Sequence, residues 1–278
     1  MAVRKLEAAQ LDQIEQLETA CVAADGGRLK LEHDTLRSRP GSRRDDFLWV
    51  ADGQVVGFLG IYQFRLDQAE LCGMVHPDRR RSGIASSLFA AAMGEVRHRG
   101  VPTTLLIVNR DAEAGEAFAR GHGGEIVSSE HRMILRGAPP ADRPGRQVTL
   151  RPGTMEDAGF VRSCLAEAFG LPPHAFAGED PASWSTDMLV ITSDRERVGV
   201  MRVDRHGQSA GIYGFAITPV LQGRGYGQAA LATVCRSLRA SGVEEVHLEV
   251  SVVNPSALRV YERCGFEVVG TEDYYLVR

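Results

Sequence analysis

The residues best able to do chemistry in this 278-residue chain lie in two short stretches of its C-terminal half. The first is Gln222-Gly223-Arg224-Gly225-Tyr226-Gly227, preceded by Pro219. Proline ends a strand because it cannot donate to a ladder, and the alanine- and leucine-rich run that follows predicts a helix to about Ala240. Three alternate glycines let the backbone curl and turn successive N–H groups to one side. The unpaired amides and positive dipole end of the new helix face the same spot, which can grip a diphosphate. The second stretch holds Glu249, Asn254 and Tyr261. His247, Glu249 and Ser251 alternate with Leu248, Val250 and Val252 along a strand, so a polar face on an interior strand points to a cleft. Asn254 before Pro255 is a helix cap, and Tyr261, seven residues on, projects from the same side of that helix. A phenol keeps its proton at neutral pH and can donate it to an anion, while a carboxylate can accept one.

Each residue also has a plain structural reading. A glycine-rich turn is often only a turn. Asn254 serves as a cap whatever else it does. Tyr261 fits a core aromatic, and Glu249 a strand carboxylate that faces solvent or pairs with an arginine. Cys264 reads as a small filler on a helix face, because a helix C-terminus raises a thiol pKa. His174 and His206 lie in loop-like contexts and read as surface residues. A P-loop would need Gly-Lys-Ser/Thr, and a dinucleotide fingerprint would sit on the first strand of its domain; the Gln222–Gly227 loop meets neither condition.

The elements that position these residues occur twice. At an offset of 142, Gly57 falls on Gly199, Pro77 on Pro219, Gly83 on Gly225, Gly123 on Gly265 and Arg136 on Arg278, so 45–136 match 187–278 without a gap. In the first copy, strands are expected near Val3–Leu6 and at 47–51, 55–64, 69–75, 103–108 and 125–135. Helices are expected at 9–24, 29–38, 112–120 and after Ala85. The second copy repeats this order, with strands at 148–151, 188–192, 198–204, 210–217, 245–253 and 266–277. Residues 171–181 are proline-rich, and a short element is expected at 182–185. The order predicts an α/β (α+β) domain with a mixed sheet, duplicated as 1–137 and 146–278 around a proline-rich linker at 138–145.

The run from Leu248 to Phe266, with the glycine loop upstream, resembles the GNAT superfamily of acetyl-CoA-dependent N-acetyltransferases, and within it the ribosomal-protein alanine N-acetyltransferases. The resemblance covers both halves and implies two tandem GNAT folds, each a mixed, mostly antiparallel sheet flanked by helices. It implies that amides of Gly223, Gly225 and Gly227, with Gln222, Arg224 and Tyr226, hold the coenzyme A pyrophosphate. Backbone at Ala216 and Ile217 would face the thioester, Asn254 would touch the coenzyme A chain, Glu249 would be the base and Tyr261 the acid. Tyr274 and Tyr275 would line the acceptor pocket. The chain departs from the family by ending at Arg278 without a further hairpinned strand. In the first copy Arg80, Gly83 and Ala85 keep an anion-binding turn, whereas Ile107, Ala112 and Ala119 replace Glu249, Asn254 and Tyr261. That half is expected to be inactive, either binding acetyl-CoA or bracing the second.

Composition agrees with a globular enzyme: 44% hydrophobic and 24% charged residues. A net charge of −4 argues against nucleic acid as a partner. No apolar run is long enough to span a membrane. Five scattered cysteines without metal-ligand spacing read as free thiols in a reducing cytoplasm, and no metal is expected. The expectation is an N-acetyltransferase that moves acetyl from acetyl-CoA to a primary amine, on a small molecule or a peptide N-terminus, by direct attack in the C-terminal half. Alternatives are mycothiol-synthase-like acetylation of a cysteinyl amino-sugar and a non-catalytic acyl-CoA sensor or scaffold.

Overall fold

The computed structural model describes residues 2–141, 147–170 and 187–278. The linker core, the proline-rich 171–181 region, the element expected at 182–185 and His174 lie outside them. The chain forms two compact units, Met1–Glu130 with Gly270–Arg278 (unit 1) and His131–Val269 (unit 2).

In unit 1, β1 (Ala2–Val3), β2 (Asp46–Ala51), β3 (Gln54–Arg65), β4 (Gln68–Val75) and β5 (Thr103–Asn109) lie side by side in that order. All pair antiparallel except β4 with β5. Helices α1 (Ala8–Asp25) and α2 (His33–Ser38) cover one face, burying Ile14, Leu17, Cys21 and Leu36 against Leu48, Phe58 and Met74. Helix α3 (Ile84–His98) covers the other with Leu88, Phe89, Ala92 and Val96, joined by Ala119 of α4 (Glu113–Gly121). β6 (Glu125–Leu135) begins in this unit and ends in unit 2.

Unit 2 repeats the plan with β7 (Thr149–Pro152), α5 (Ala158–Phe169), β8 (Met188–Ser193), β9 (Glu196–His206), β10 (Ser209–Ile217), α6 (Tyr226–Ala240), β11 (Glu245–Ser251), α7 (Pro255–Arg263) and the first residues of β12 (Phe266–Val277), which ends in unit 1. Again one neighbouring pair, β10 with β11, is parallel, while β7–β8–β9–β10 is antiparallel. α6 buries Ala230, Leu231, Val234, Cys235 and Leu238, the stripe that 3.6-residue periodicity requires. Val246, Leu248 and Val250 alternate into the same core, each worth about 1.5–3 kcal/mol on burial.

The last strands do not follow the division expected from composition. Tyr275 and Val277 of β12 are buried in the unit 1 core, and β12 pairs antiparallel with β5 from Glu272↔Asn109 to Val277↔Thr104. Met133 and Leu135 of β6 are buried in the unit 2 core, where β6 neighbours β11. The sheet of unit 1 therefore includes the last residues of the sequence, and that of unit 2 includes residues from the end of the first repeat. Among the described residues no helix is long and apolar enough to cross a membrane.

Candidate active site

The parallel pair of unit 2 is the frame of the site. β10 and β11 are in register only from Ser209↔Glu245 to Ile212↔Leu248, although β10 continues to Ile217 and β11 to Ser251. Just past Ile212, β10 carries a bulge: Tyr213 and Ala216 are three apart where their partners Arg202 and Val200 are two apart. Gly214 takes φ 53° within it. A bulge bends the strand and leaves a residue outside the ladder. Gly199 lets β9 stay close, because a Cβ there would lie 2.4 Å from the Ala216 carbonyl oxygen.

The glycine turn closes the end of that strand. A 3-10 turn at Pro219–Leu221 leads to Gln222, whose Nε2 donates to the Ile217 carbonyl at 3.0 Å. Gly223 (φ 72°) and Gly225 (φ 89°) are left-handed, and a Cβ on Gly223 would meet nothing within 4 Å. Both glycines therefore serve backbone conformation, at a cost of about 1–2 kcal/mol for any other residue there. Gly225 is the cap residue of α6, so the curl ends directly on the free amides of the first helical turn. Gln222, Gly223, Arg224 and Gly225 are exposed and Tyr226 is half-buried. Gly227 differs: a Cβ there would make only ordinary contacts with Ile217 and Phe215, which agrees with Ala85 at the matching position of unit 1.

Tyr261 projects from α7 into the α6–α7 core and is 8% exposed. Its ring lies 6.4 Å from that of Phe215, the bulge residue, and 6.3 Å from Phe266. Burial, with a smaller contribution from Cys264, pushes its phenol up to about 12. Cys264 is itself fully buried. The Asn254 side chain accepts from the Ala257 amide at 3.1 Å, the capping geometry expected beside Pro255, and the residue is exposed.

Glu249 stands on the other face of β11, half-buried, in line with His247 and Glu245. His247 lies between Tyr213 Oη (3.4 Å), Ser209 Oγ (3.4 Å) and Glu245 Oε1 (3.5 Å). The Tyr213 ring lies over Gly211, where a Cβ would come within 2.6 Å of its hydroxyl, and the Arg202 guanidinium is 5.2 Å from its centroid. Arg202, Tyr213 and Phe215 were missed in the sequence because their positions depend on the bulge. The glycine of a Gly-x-Tyr alternation, Gly211 before Tyr213, is the signal that could have found one of them.

Arg80, Gly83 and Ala85 belong to unit 1 and form a turn of their own. Arg80 Nε donates to Val75 O at 3.1 Å, as Gln222 does to Ile217, and its two terminal nitrogens hold Asp25 at 2.6 and 2.7 Å. Ile107 and Ala119, at the positions of Glu249 and Tyr261, are buried. Tyr274 and Tyr275, expected at the acceptor side of the second half, belong instead to unit 1: Tyr275 is in its core, and the Tyr274 hydroxyl accepts from Lys30 and donates to Glu130, both at 2.6 Å.

A duplicated α/β unit whose parallel strands part beside a left-handed glycine turn is the GNAT arrangement, and the sequence comparison agrees. The model of the acetyltransferase (GNAT) family matches residues 11–123 and 163–266. The chain belongs to this family. It is 29% identical over 280 residues to a mycothiol acetyltransferase of Actinosynnema mirum, with 94% of this chain and 93% of that protein covered. A GCN5-related N-acetyltransferase of Sphaerobacter thermophilus superposes with a TM-score of 0.79 at 23% identity, covering 99% and 94% of the two chains. A tandem GNAT protein from the clavulanic acid biosynthesis pathway superposes at 0.71 with 18% identity, covering 98% and 95%. The protein is an acetyl-CoA-dependent N-acetyltransferase built as a tandem GNAT.

Proposed function

We propose that unit 2 alone transfers the acetyl group, by direct attack of a primary amine. The observation that supports this most is that Glu249 and Tyr261 both flank the parting of β10 from β11, while unit 1 has Ile107 and Ala119 at those positions. Amides of Gly223, Gly225 and Gly227 and the α6 N-terminus hold the coenzyme A pyrophosphate, with Arg224 adding charge. Gln222 fixes the turn to the strand end, and Tyr226 closes the first turn of α6. Backbone amides around Ala216 and Ile217, beyond the end of the β10–β11 register, polarise the thioester carbonyl. Asn254 starts α7 and lies along the coenzyme A chain. Glu249 takes a proton from the amine. Tyr261, kept neutral by burial, donates its hydrogen bond to the departing thiolate as charge develops there.

A second reading names the acceptor. Mycothiol acetyltransferases match the chain nearly end to end, which favours a cysteinyl amino-sugar over a peptide N-terminus. The test is thiol release from acetyl-CoA by the full-length protein with cysteinyl amino-sugars, polyamines, aminoglycosides and peptides. Saturable release with the first class only supports the second reading. Release with another primary amine, lost in Tyr261→Phe, supports the first reading alone; release that survives Tyr261→Phe overturns the assignment to unit 2, and no release with any amine overturns both.

A further inference from the structure

Unit 1 carries a built cluster of cations that acetyl transfer does not use. At the end of α3 remote from its glycine turn, a cavity of about 530 Å³ is lined by Arg4, Arg43, Arg44, Gln63, Glu95 and Arg99, among others. Arg99 is fully engaged: it donates to Glu95 at 3.0 Å, to Asp45 at 2.8 Å and to the Arg44 carbonyl at 3.0 Å. Arg4 donates to the Ser42 carbonyl at 2.9 Å, so the 42–44 loop is held by a guanidinium on each side. Arg43 reaches only the neutral Gln63 Oε1, at 3.1 Å. No carboxylate lies within ion-pairing distance of Arg4, Arg43 or Arg44 among the described residues.

Three arginines without a carboxylate partner thus line one cavity, in a chain whose net charge is −4. The helix end that borders the cavity is particular to unit 1. Where unit 1 has Glu95, His98 and Arg99 at the end of α3, unit 2 has Ser237, Ala240 and Ser241 at the end of α6. Guanidinium forks match phosphate oxygens in bidentate geometry, and the cavity falls in the range of about 300–1,000 Å³ typical of small-molecule sites.

We propose that this cavity binds a small molecule carrying two or more phosphate groups, with Arg4, Arg43 and Arg44 as its ligands. The site is separate from acetyl transfer, and its test does not depend on catalysis. Titration calorimetry would use the full chain, inorganic pyrophosphate, and saturating coenzyme A to fill any glycine turn that takes it. The expected result is one site in the submillimolar range that weakens as sodium chloride rises. An Arg43→Ala/Arg44→Ala double variant should bind at least about tenfold more weakly, with thermal melting and coenzyme A affinity unchanged because both side chains are exposed. Arg81→Ala, at the unit 1 turn, should bind normally. No heat at low salt, equal binding by the double variant, or loss of binding in Arg81→Ala overturns the site. Citrate binding as tightly as pyrophosphate overturns the assignment to phosphate.

Discussion

The turns of the two units have almost the same backbone. An extended residue, Arg80 (φ −69°, ψ 166°) or Gln222 (φ −62°, ψ 159°), is followed by a left-handed one, Arg81 (φ 61°) or Gly223 (φ 72°). A left-handed cap then follows, Gly83 (φ 82°) or Gly225 (φ 89°). In each, a long side chain ties the turn to the end of the preceding strand. The surroundings differ. Unit 1 has an acid, Asp25, on the turn's arginine and apolar residues at the chemical positions. The placement of one extra residue differs too: it lies on β3 between Tyr62 and Arg65 in unit 1, but on β10 between Tyr213 and Ala216 in unit 2. The shared turn satisfies a helix start in both units and so is poor evidence of activity by itself. The position of the bulge and the presence of Glu249 and Tyr261, the side chains proposed for proton transfer, are what separate them.

The sharpest test of that separation is Tyr261→Phe, expected to lower turnover by about 10²–10⁴-fold with little change in acetyl-CoA affinity. Ala119→Tyr in the same background should restore nothing, because unit 1 lacks the other half of the pair. With its phenol raised to about 12 by burial, Tyr261 stays protonated across the working range. It should add no alkaline fall in kcat below about pH 10. Thiol release across pH measures both, and a wild-type rate in Tyr261→Phe would end its role. Glu249→Gln should cost about 10²-fold. If it leaves kcat/KM intact for every acceptor, the base lies elsewhere on the polar face, with His247 the next residue to replace.

Much of this contrast was readable from local pattern. Alternation and turn residues gave β6 and β12 their bounds, and the uniform offset revealed the duplication and the substitutions at Ile107 and Ala119. Two things were not readable. The unit that β12 joins depends on pairing with β5, more than 150 residues away, and alternation fits either destination equally well. Hence Tyr274 and Tyr275 were expected on the wrong half. The bulge was hidden because the β3–β4 and β9–β10 pairs each hold one extra residue, so the gapless match conceals that the two sit on different strands. Residues between the two positions, Tyr213 among them, are therefore mismatched by one.

A smaller effect acts on unit 2 in acid. In unit 2, Asp157 is 2% exposed and precedes α5; it accepts from Arg151 at 2.7 and 2.8 Å and from the Thr154 amide at 2.9 Å. The Arg151 hydrogen bonds, ahead of those from Thr154, hold its carboxyl well below the usual carboxylate range. A depressed folded pKa means that this stabilisation is complete above the unfolded value of about 3.9 and is lost as pH falls below it. Asp157→Asn should cost about 1–3 kcal/mol at neutral pH, measured by urea unfolding. It should also flatten the acid decline of unit 2. An unchanged acid decline would mean other carboxylates govern it.

The mildest exchange tests whether the two turns are interchangeable. Gly223→Arg places in unit 2 the residue type that unit 1 carries at Arg81, where an arginine already sits at φ 61°. A left-handed non-glycine residue costs about 1–2 kcal/mol, but a Cβ at position 223 meets no atom within 4 Å, so the amides should keep their direction. Acetyl-CoA affinity should fall less than about tenfold, and turnover at saturation should stay near normal, because the added side chain points into open space rather than toward Tyr261 or Glu249. Should turnover at saturation instead collapse as in Tyr261→Phe, the turn would be coupled to the chemical step, and the likeness between the two cradles would be one of backbone alone.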